Sequence, residues 1–295
     1  MKHKTLRANF LLLLAAVFWG STFAAQRMSV DLLPPFAFQG IRCTVGALVL
    51  LPVIALFDRI GQKGNWKSKK LWYGGMICGL VLFLSTNLQQ FGLSLGTTAG
   101  KSGFITAMYI ILVPILSLFL GKKIGRWVWL SVILAVCGLY LLCMKESFGL
   151  SIGDALTLGC ALCFAVHIIV VDLVNADVDP IRLSCIQFLV CGVLSIIAMS
   201  VTDIPTWKNV ADCWFPLAYA AILSSAVAYT LQIIGQRDTN PTVAAVIMST
   251  ESVFACLSGW LVLHEHLSLR EGVGCAIMFC AVLLAQLPGK KQISA

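Results

Sequence analysis

Ten stretches of 18 to 24 residues, each holding at most two Asp, Glu, Lys or Arg, dominate the sequence: 8–27, 35–57, 71–91, 98–120, 127–144, 154–171, 182–202, 212–235, 242–263 and 270–288. About 20 apolar residues carry a helix across a bilayer. Hydrocarbon offers no partner for backbone N–H and C=O groups, so such stretches must be helices or strands of a closed barrel. The ten-residue alternation of barrel strands is missing. The expected fold is an all-α polytopic membrane protein with ten transmembrane helices. With 59% of its 295 residues hydrophobic and 12% charged, against about 45–50% and about 25% in soluble domains, the chain has no room for a soluble catalytic module.

Charge orients the helices. The 21 Lys and Arg exceed the 13 Asp and Glu, but no basic stripe is interleaved with aromatics, which argues against nucleic acid as a partner. With the N-terminus inside, fifteen basic residues fall on the cytoplasmic side, five on outer edges and one, Arg42, within a span. The positive-inside rule then predicts an inner (plasma) membrane protein with both termini cytoplasmic. The connection bearing Asp172, Asp177 and Asp179 is acidic, although acids count little in this rule. Lys2, Lys4 and Arg7 ahead of an apolar run to Ala24 and Ala25 imitate a signal peptide. Trp19-Gly20-Ser21-Thr22 interrupts that run and nine comparable stretches follow, so an uncleaved first span is expected. Of the 12 cysteines, all but Cys213 lie well inside apolar stretches and read as packing residues rather than a disulfide framework.

The halves resemble each other. A shift of 145 lays Ala15-Ala16 on Cys160-Ala161, Pro35 on Pro180 and Arg42 on Gln187. A shift of 143 lays Gln89 on Gln232, Gly92 on Gly235, Leu120 on Leu263 and Cys137 on Cys280. Duplicating a unit of five spans, an odd number, forces the copies to face opposite sides of the membrane. The expected organisation is two inverted five-helix repeats, 1–147 and 148–295, with a substrate site near the midplane where they meet.

Phe18-Trp19-Gly20-Ser21-Thr22-Phe23 in the first stretch, and Pro35 followed by Arg42 in the second, resemble the EamA-type family of the drug/metabolite transporter superfamily. The fourth stretch fits too, with Gly103-Phe104-Ile105-Thr106, Val113-Pro114 and Gly121-Lys122-Lys123. The ninth carries Asn240-Pro241-Thr242, Glu251-Ser252-Val253-Phe254-Ala255, Gly259-Trp260 and Glu265, departing from the pattern at Ser252 and His264. The resemblance spans nearly the whole chain. It implies ten helices in two inverted repeats and alternating-access movement of small solutes, often export of amino acids, other metabolites or drugs.

Intramembrane charge marks function by default, because an uncompensated ion there costs about 2.5–3.5 kcal/mol on insertion scales. Arg42 either faces a cavity or pairs with an acid, the alternative being that it snorkels toward the headgroups or fixes the repeat interface. Glu251, nine positions into its stretch, is a candidate for ion coupling; the alternative is a hydrogen-bonded packing residue. His167 belongs to the side-chain type that titrates near neutrality, and is either a second coupling group or a packing residue. Asn87, Gln89, Gln187 and Gln232 are candidate solute ligands, with helix-to-helix hydrogen bonding as the alternative. Gln236 is expected at the cytoplasmic edge, and Trp19 with Tyr229 forms an aromatic wall or packs.

Other motifs carry no chemistry. Gly96 to Ser102 has one residue too few between its glycines for a phosphate loop, Cys160-Ala161-Leu162-Cys163 lacks a redox context, and His264-Glu265-His266 lacks zinc-protease spacing. Gly75 and Gly79 permit close helix contact, within the bundle or between protomers. The reading is a secondary transporter, not an enzyme, without cofactor or metal. Its partners are the lipid bilayer, a small solute (amino acid, related metabolite or amphiphilic drug-like compound) and a proton or sodium ion. An intramembrane lipid-modifying enzyme and a non-transporting sensor or channel are the competing classes.

Overall fold

The computed structural model describes residues 2–60, 64–97, 99–143, 151–262 and 268–287, and every regular element among them is helical. The first three stretches form α1 (Lys2–Val30), α2 (Pro35–Arg59) and α3 (Lys69–Ser94). The fourth is divided into α4 (Ala99–Thr106) and α5 (Tyr109–Phe119). There follow α6 (Arg126–Cys143), α7 (Ile152–Val174), α8 (Pro180–Ser200) and a short helix outside the expected spans, α9 (Trp207–Asp212). The eighth stretch changes pitch twice, from α10 (Trp214–Tyr219) through a π-helix (Ala220–Tyr229) to α11 (Thr230–Gln236). The ninth is again divided, into α12 (Pro241–Met248) and α13 (Glu251–Val262), and α14 (Leu269–Ala285) follows.

Among the described residues, eight segments are long and apolar enough to cross a membrane. The two remaining stretches coincide with the shorter helices α6, of 18 residues, and α14, of 17. Local chemistry sets the borders. Ser68, Asp179 and Asn240 each accept a backbone N–H of the turn they open, the latter two directly before a proline at the first helical position. Ser151 with Asp154, and Ser268 with Glu271, form reciprocal capping boxes.

The bundle is apolar on its outside and encloses polar side chains among its buried apolar core. Leu48, Leu80, Ile133, Leu158, Ile197 and Leu283 are exposed, as a lipid-facing surface requires, while Gln39, Gln90, Gln187 and Ser225 are fully buried. α2 packs along α8, α3 along α7 and α8, α6 along α14, and α1 along α13 and the α10–α11 segment. Small residues allow the closest crossings. A Cβ on Gly79 would stand 2.6 Å from Val190 Cβ, and one on Gly274 would stand 2.8 Å from the Gly138 carbonyl. The Gly75–Gly79 pair therefore serves contact within the bundle, against Ile186 and Val190 of α8.

The acidic α7–α8 connection is neutralised by bases from elsewhere at the same end of the bundle. Asp172 pairs with Lys122 and Asp177 with Lys70. Arg182 reaches Asp58 at the end of α2 at 2.6 Å and Asp179 at 3.4 Å. Arg237 donates to the Asn175 and Val178 carbonyls. A single turn thus ties together the ends of α2, α3, α5 and α11. Elsewhere, Lys101 of α4 meets the fully buried Asp154 of α7 at 2.6 Å.

Candidate functional site

A continuous helix has no free backbone groups along its length, because its ladder uses every N–H and C=O there. Two of the apolar stretches are interrupted. Between α4 and α5 the ladder tightens, with Ile110 N–H reaching the Ala107 carbonyl. Between α12 and α13, 143 positions later, Val253 N–H reaches the Thr250 carbonyl in the same way. Hydroxyls of Ser249 and Thr250 bond back to the Val246 and Ile247 carbonyls, which competes with regular helix there. Neither interruption contains a proline or glycine, so the strongest helix-breaking signals are missing from the sequence there.

Both interruptions open onto one cavity of about 550 Å³, its mouth included. α1 contributes Trp19, Thr22, Phe23 and Gln26; α2 contributes Arg42; α3 contributes Thr86 and Gln89. Thr106, Tyr109, Met248 and Glu251 come from the two interruptions, Phe164, His167 and Ile168 from α7, and Ser224, Tyr229 and Gln232 from the π-helix and α11.

Arg42 is buried, with Nε donating to Ser225 Oγ at 3.2 Å and Nη2 to Ser224 Oγ at 3.1 Å. Both acceptors are neutral hydroxyls of the π-helix. Among the described residues no carboxylate stands within 4.0 Å of this guanidinium. A buried cation in that situation is complementary to an anionic group. Glu251, at the first turn of α13, is also buried and accepts a hydrogen bond from Tyr109 Oη at 3.2 Å.

The amides fall into two groups. Gln26 Nε2 donates to Gln89 Oε1 at 3.2 Å, and Gln89 Nε2 donates to Thr106 Oγ1 at 3.1 Å, linking α1, α3 and the first interruption. On the other wall, Gln232 Nε2 donates to Gln236 Oε1 at 2.9 Å. Tyr229 lies edge-on to Trp19 with centroids 4.8 Å apart, and to His167 at 5.9 Å.

Seven of the nine candidate residues thus line one cavity: Trp19, Arg42, Gln89, His167, Tyr229, Gln232 and Glu251. Asn87 and Gln187 do not. Asn87 Nδ2 donates to Ser195 Oγ at 3.1 Å and to the Phe83 carbonyl, bracing α3 on α8. Gln187 stands behind His167, its Oε1 at 3.1 Å from His167 Nε2. Sequence reasoning missed Gln26, Thr106, Tyr109, Ser224 and Ser225. An aromatic or hydroxyl residue in an apolar stretch carries no signal of its own, although Ser249-Thr250 directly ahead of Glu251 is a local hint of irregular helix. The His264-Glu265-His266 motif lies outside the described residues.

The profile of the EamA-like transporter family matches residues 6–144 and 151–287. An uncharacterized transporter of Archaeoglobus fulgidus is 33% identical over 287 residues, covering 96% of this chain and 87% of its own. The threonine/homoserine exporter RhtA of Salmonella typhimurium is 24% identical over 285 residues, covering 94% of this chain and 89% of its own. A chain in a solved crystal structure superposes with a TM-score of 0.80 at 20% identity, over 97% of this chain and 99% of that one, a likeness of fold.

Proposed function

Since the chain belongs to the EamA-like transporter family and is a multi-pass membrane transporter, we propose that it exports a small zwitterionic solute, an amino acid or related metabolite, by alternating access through the Arg42–Glu251 cavity. The observation that carries the reading is the buried Arg42, hydrogen-bonded only to neutral hydroxyls and sharing a cavity with a buried carboxyl group. Arg42 takes the solute's carboxylate, Glu251 and the amides face its ammonium group, and Trp19 with Tyr229 covers its apolar part. The amide and aromatic lining also accommodates an amphiphilic drug-like compound.

The architecture we propose is ten spans in two inverted repeats, 1–147 and 148–295, with both termini in the cytoplasm of an inner-membrane protein. Three features support it. The helix interruptions, at Ala107 and Thr250, are separated by the repeat shift of 143. α3 packs on α7 as the α10–α11 segment packs on α1, the counterpart contact under a two-fold relation. α2 with α8, and α6 with α14, each pair a helix with its own counterpart. Interrupted helices at corresponding positions of two halves are where such transporters hold their solutes.

The repeats rock about the cavity, and the ion pairs around the α7–α8 turn form the closure that must part on that side. Glu251 and His167 are the proposed coupling groups for a proton or sodium gradient. The test is a panel of amino acids read by thermal shift, followed by flux of each hit in proteoliposomes with pH and sodium gradients varied separately. Unchanged pH-driven uptake in Glu251→Gln removes its coupling role, and a panel without hits removes the zwitterion. Chemical conversion of a lipid by the purified protein would favour an intramembrane enzyme instead.

A further inference from the structure

Hydrogen-bond direction in the wall formed by α7 and α11 is set from one backbone group. A carbonyl can only accept, so the Gln236 side chain must turn its Nε2 toward the Ile168 carbonyl, at 3.0 Å. That leaves Gln236 Oε1 as an acceptor, which receives Gln232 Nε2 at 2.9 Å. Gln232 therefore presents Oε1, and that oxygen is buried without a partner in a residue of the cavity wall. The same wall carries His167, whose Nε2 faces Gln187 Oε1 at 3.1 Å and whose Nδ1 is also buried without a partner. With the hydrogen on Nε2, Nδ1 is a lone-pair acceptor. Two orphaned acceptors in one wall each carry a desolvation cost, which a hydrogen-bond donor from a ligand would remove.

We propose that Gln232 and His167 form the subsite for the donor group of the solute, an ammonium above all, and that Gln236 is the positioning residue that turns the Gln232 acceptor toward it. The proposal rests on the zwitterion reading and adds to it which side chains select the ammonium end and what orients Gln232. A 2-amino acid fills both acceptors, its 2-hydroxy analogue offers one donor, and its 2-oxo analogue offers none.

The experiment uses the full-length protein in nanodiscs. The standard amino acids are screened by thermal shift, and the strongest stabiliser is compared by calorimetry with its own 2-hydroxy and 2-oxo acids. We expect the 2-oxo acid to bind at least about tenfold more weakly than the amino acid, the hydroxy acid lying between them. In Gln236→Met the Gln232 amide is free to flip, and the preference for the amino acid should fall to within about threefold; Gln232→Met should do the same, and the double variant should add nothing further. Should Gln236→Met fail to fold, Gln232→Met and His167→Phe carry the comparison. Equal binding of amino and 2-oxo acids by the unaltered protein overturns the subsite and the zwitterion reading together, whereas a preference for the amino acid that persists undiminished in Gln232→Met and His167→Phe overturns the subsite alone. A Gln236→Met that weakens all three ligands in proportion overturns the relay, because a merely structural residue would act that way. A panel in which no amino acid stabilises the protein overturns both.

Discussion

The crossing of α1 over α13 ties stability to the geometry of the cavity, and Gly20 is the residue that permits it. A Cβ there would stand 2.6 Å from Phe254 Cβ and 2.7 Å from the Ala255 nitrogen, whereas ordinary contact begins at 3.4 Å. Gly20→Val must therefore push the two helices apart by most of an ångström. Overpacking of this kind costs about 1–3 kcal/mol, and the better helix propensity of Val returns only about 0.5 kcal/mol. At about 2–4 °C per kcal/mol, the thermal midpoint of the purified protein should fall by roughly 1–10 °C. Because the Glu251 backbone also lies against Gly20, the displaced helix carries its carboxyl out of register, and stabilisation by a bound solute should shrink with it. Gly272→Ala in α14 is the control: a Cβ there meets nothing within 4 Å, and exchanging a helical glycine for alanine gains up to about 1 kcal/mol. Fluorescence-detected melting in one detergent compares the variants directly. A Gly20→Val protein melting at or above the unaltered midpoint, with Gly272→Ala below it, would refute the packing argument.

Other expectations follow from ion pairs and burial. Lys101→Met removes the ion-pair partner of the buried Asp154, which keeps its hydrogen bonds from Ser151 and Thr97, and should cost about 1.5–3 kcal/mol, whereas Lys70→Met removes an exposed partner of Asp177 and should stay within about 1 kcal/mol in the same melting assay. Arg42→Lys keeps the charge but loses the planar fork that Ser224 and Ser225 hold; solute affinity should drop at least about tenfold with melting little changed, and equal affinity would count against Arg42 as the carboxylate ligand. Cys213, at the junction of α9 and α10, is buried and its thiol pushed up to about 11. Only the thiolate reacts, so maleimide labelling there should be slow at pH 8 and rise about tenfold per pH unit toward pH 10; a pH-independent rate would contradict the burial.

How far the sequence carries the fold differs between elements. The borders of α3, α7, α8 and α14 coincide with capping residues that stand in the sequence as Ser68, Ser151, Asp179 and Ser268. The interruptions after Thr106 and Met248 are not legible, because α4–α5 and α12–α13 read as unbroken apolar runs and tertiary contacts around the cavity overrule their helical continuity. The π-helix is hidden for the same reason, yet it supplies the two serines that hold Arg42. Single polar side chains such as Arg42, Gln89 and Glu251 stand out against their surroundings. A helix apolar all round does not reveal which way a side chain faces, and that is why Asn87 and Gln187, chosen on the same grounds, brace helices beside the cavity instead of lining it. The acidic α7–α8 connection looked at odds with the basic loops until Lys70, Lys122 and Arg182 were seen to neutralise it.

Flux through proteoliposomes, measured for the unaltered protein and for well-folded Arg42→Gln, Gln89→Leu, Gln232→Met and Glu251→Gln variants, tests the passage of solute through this cavity most directly. The account predicts saturable amino-acid flux in the unaltered protein and its loss or severe reduction in each variant, with thermal stability retained. Unimpaired flux in all four would mean that the solute takes another path.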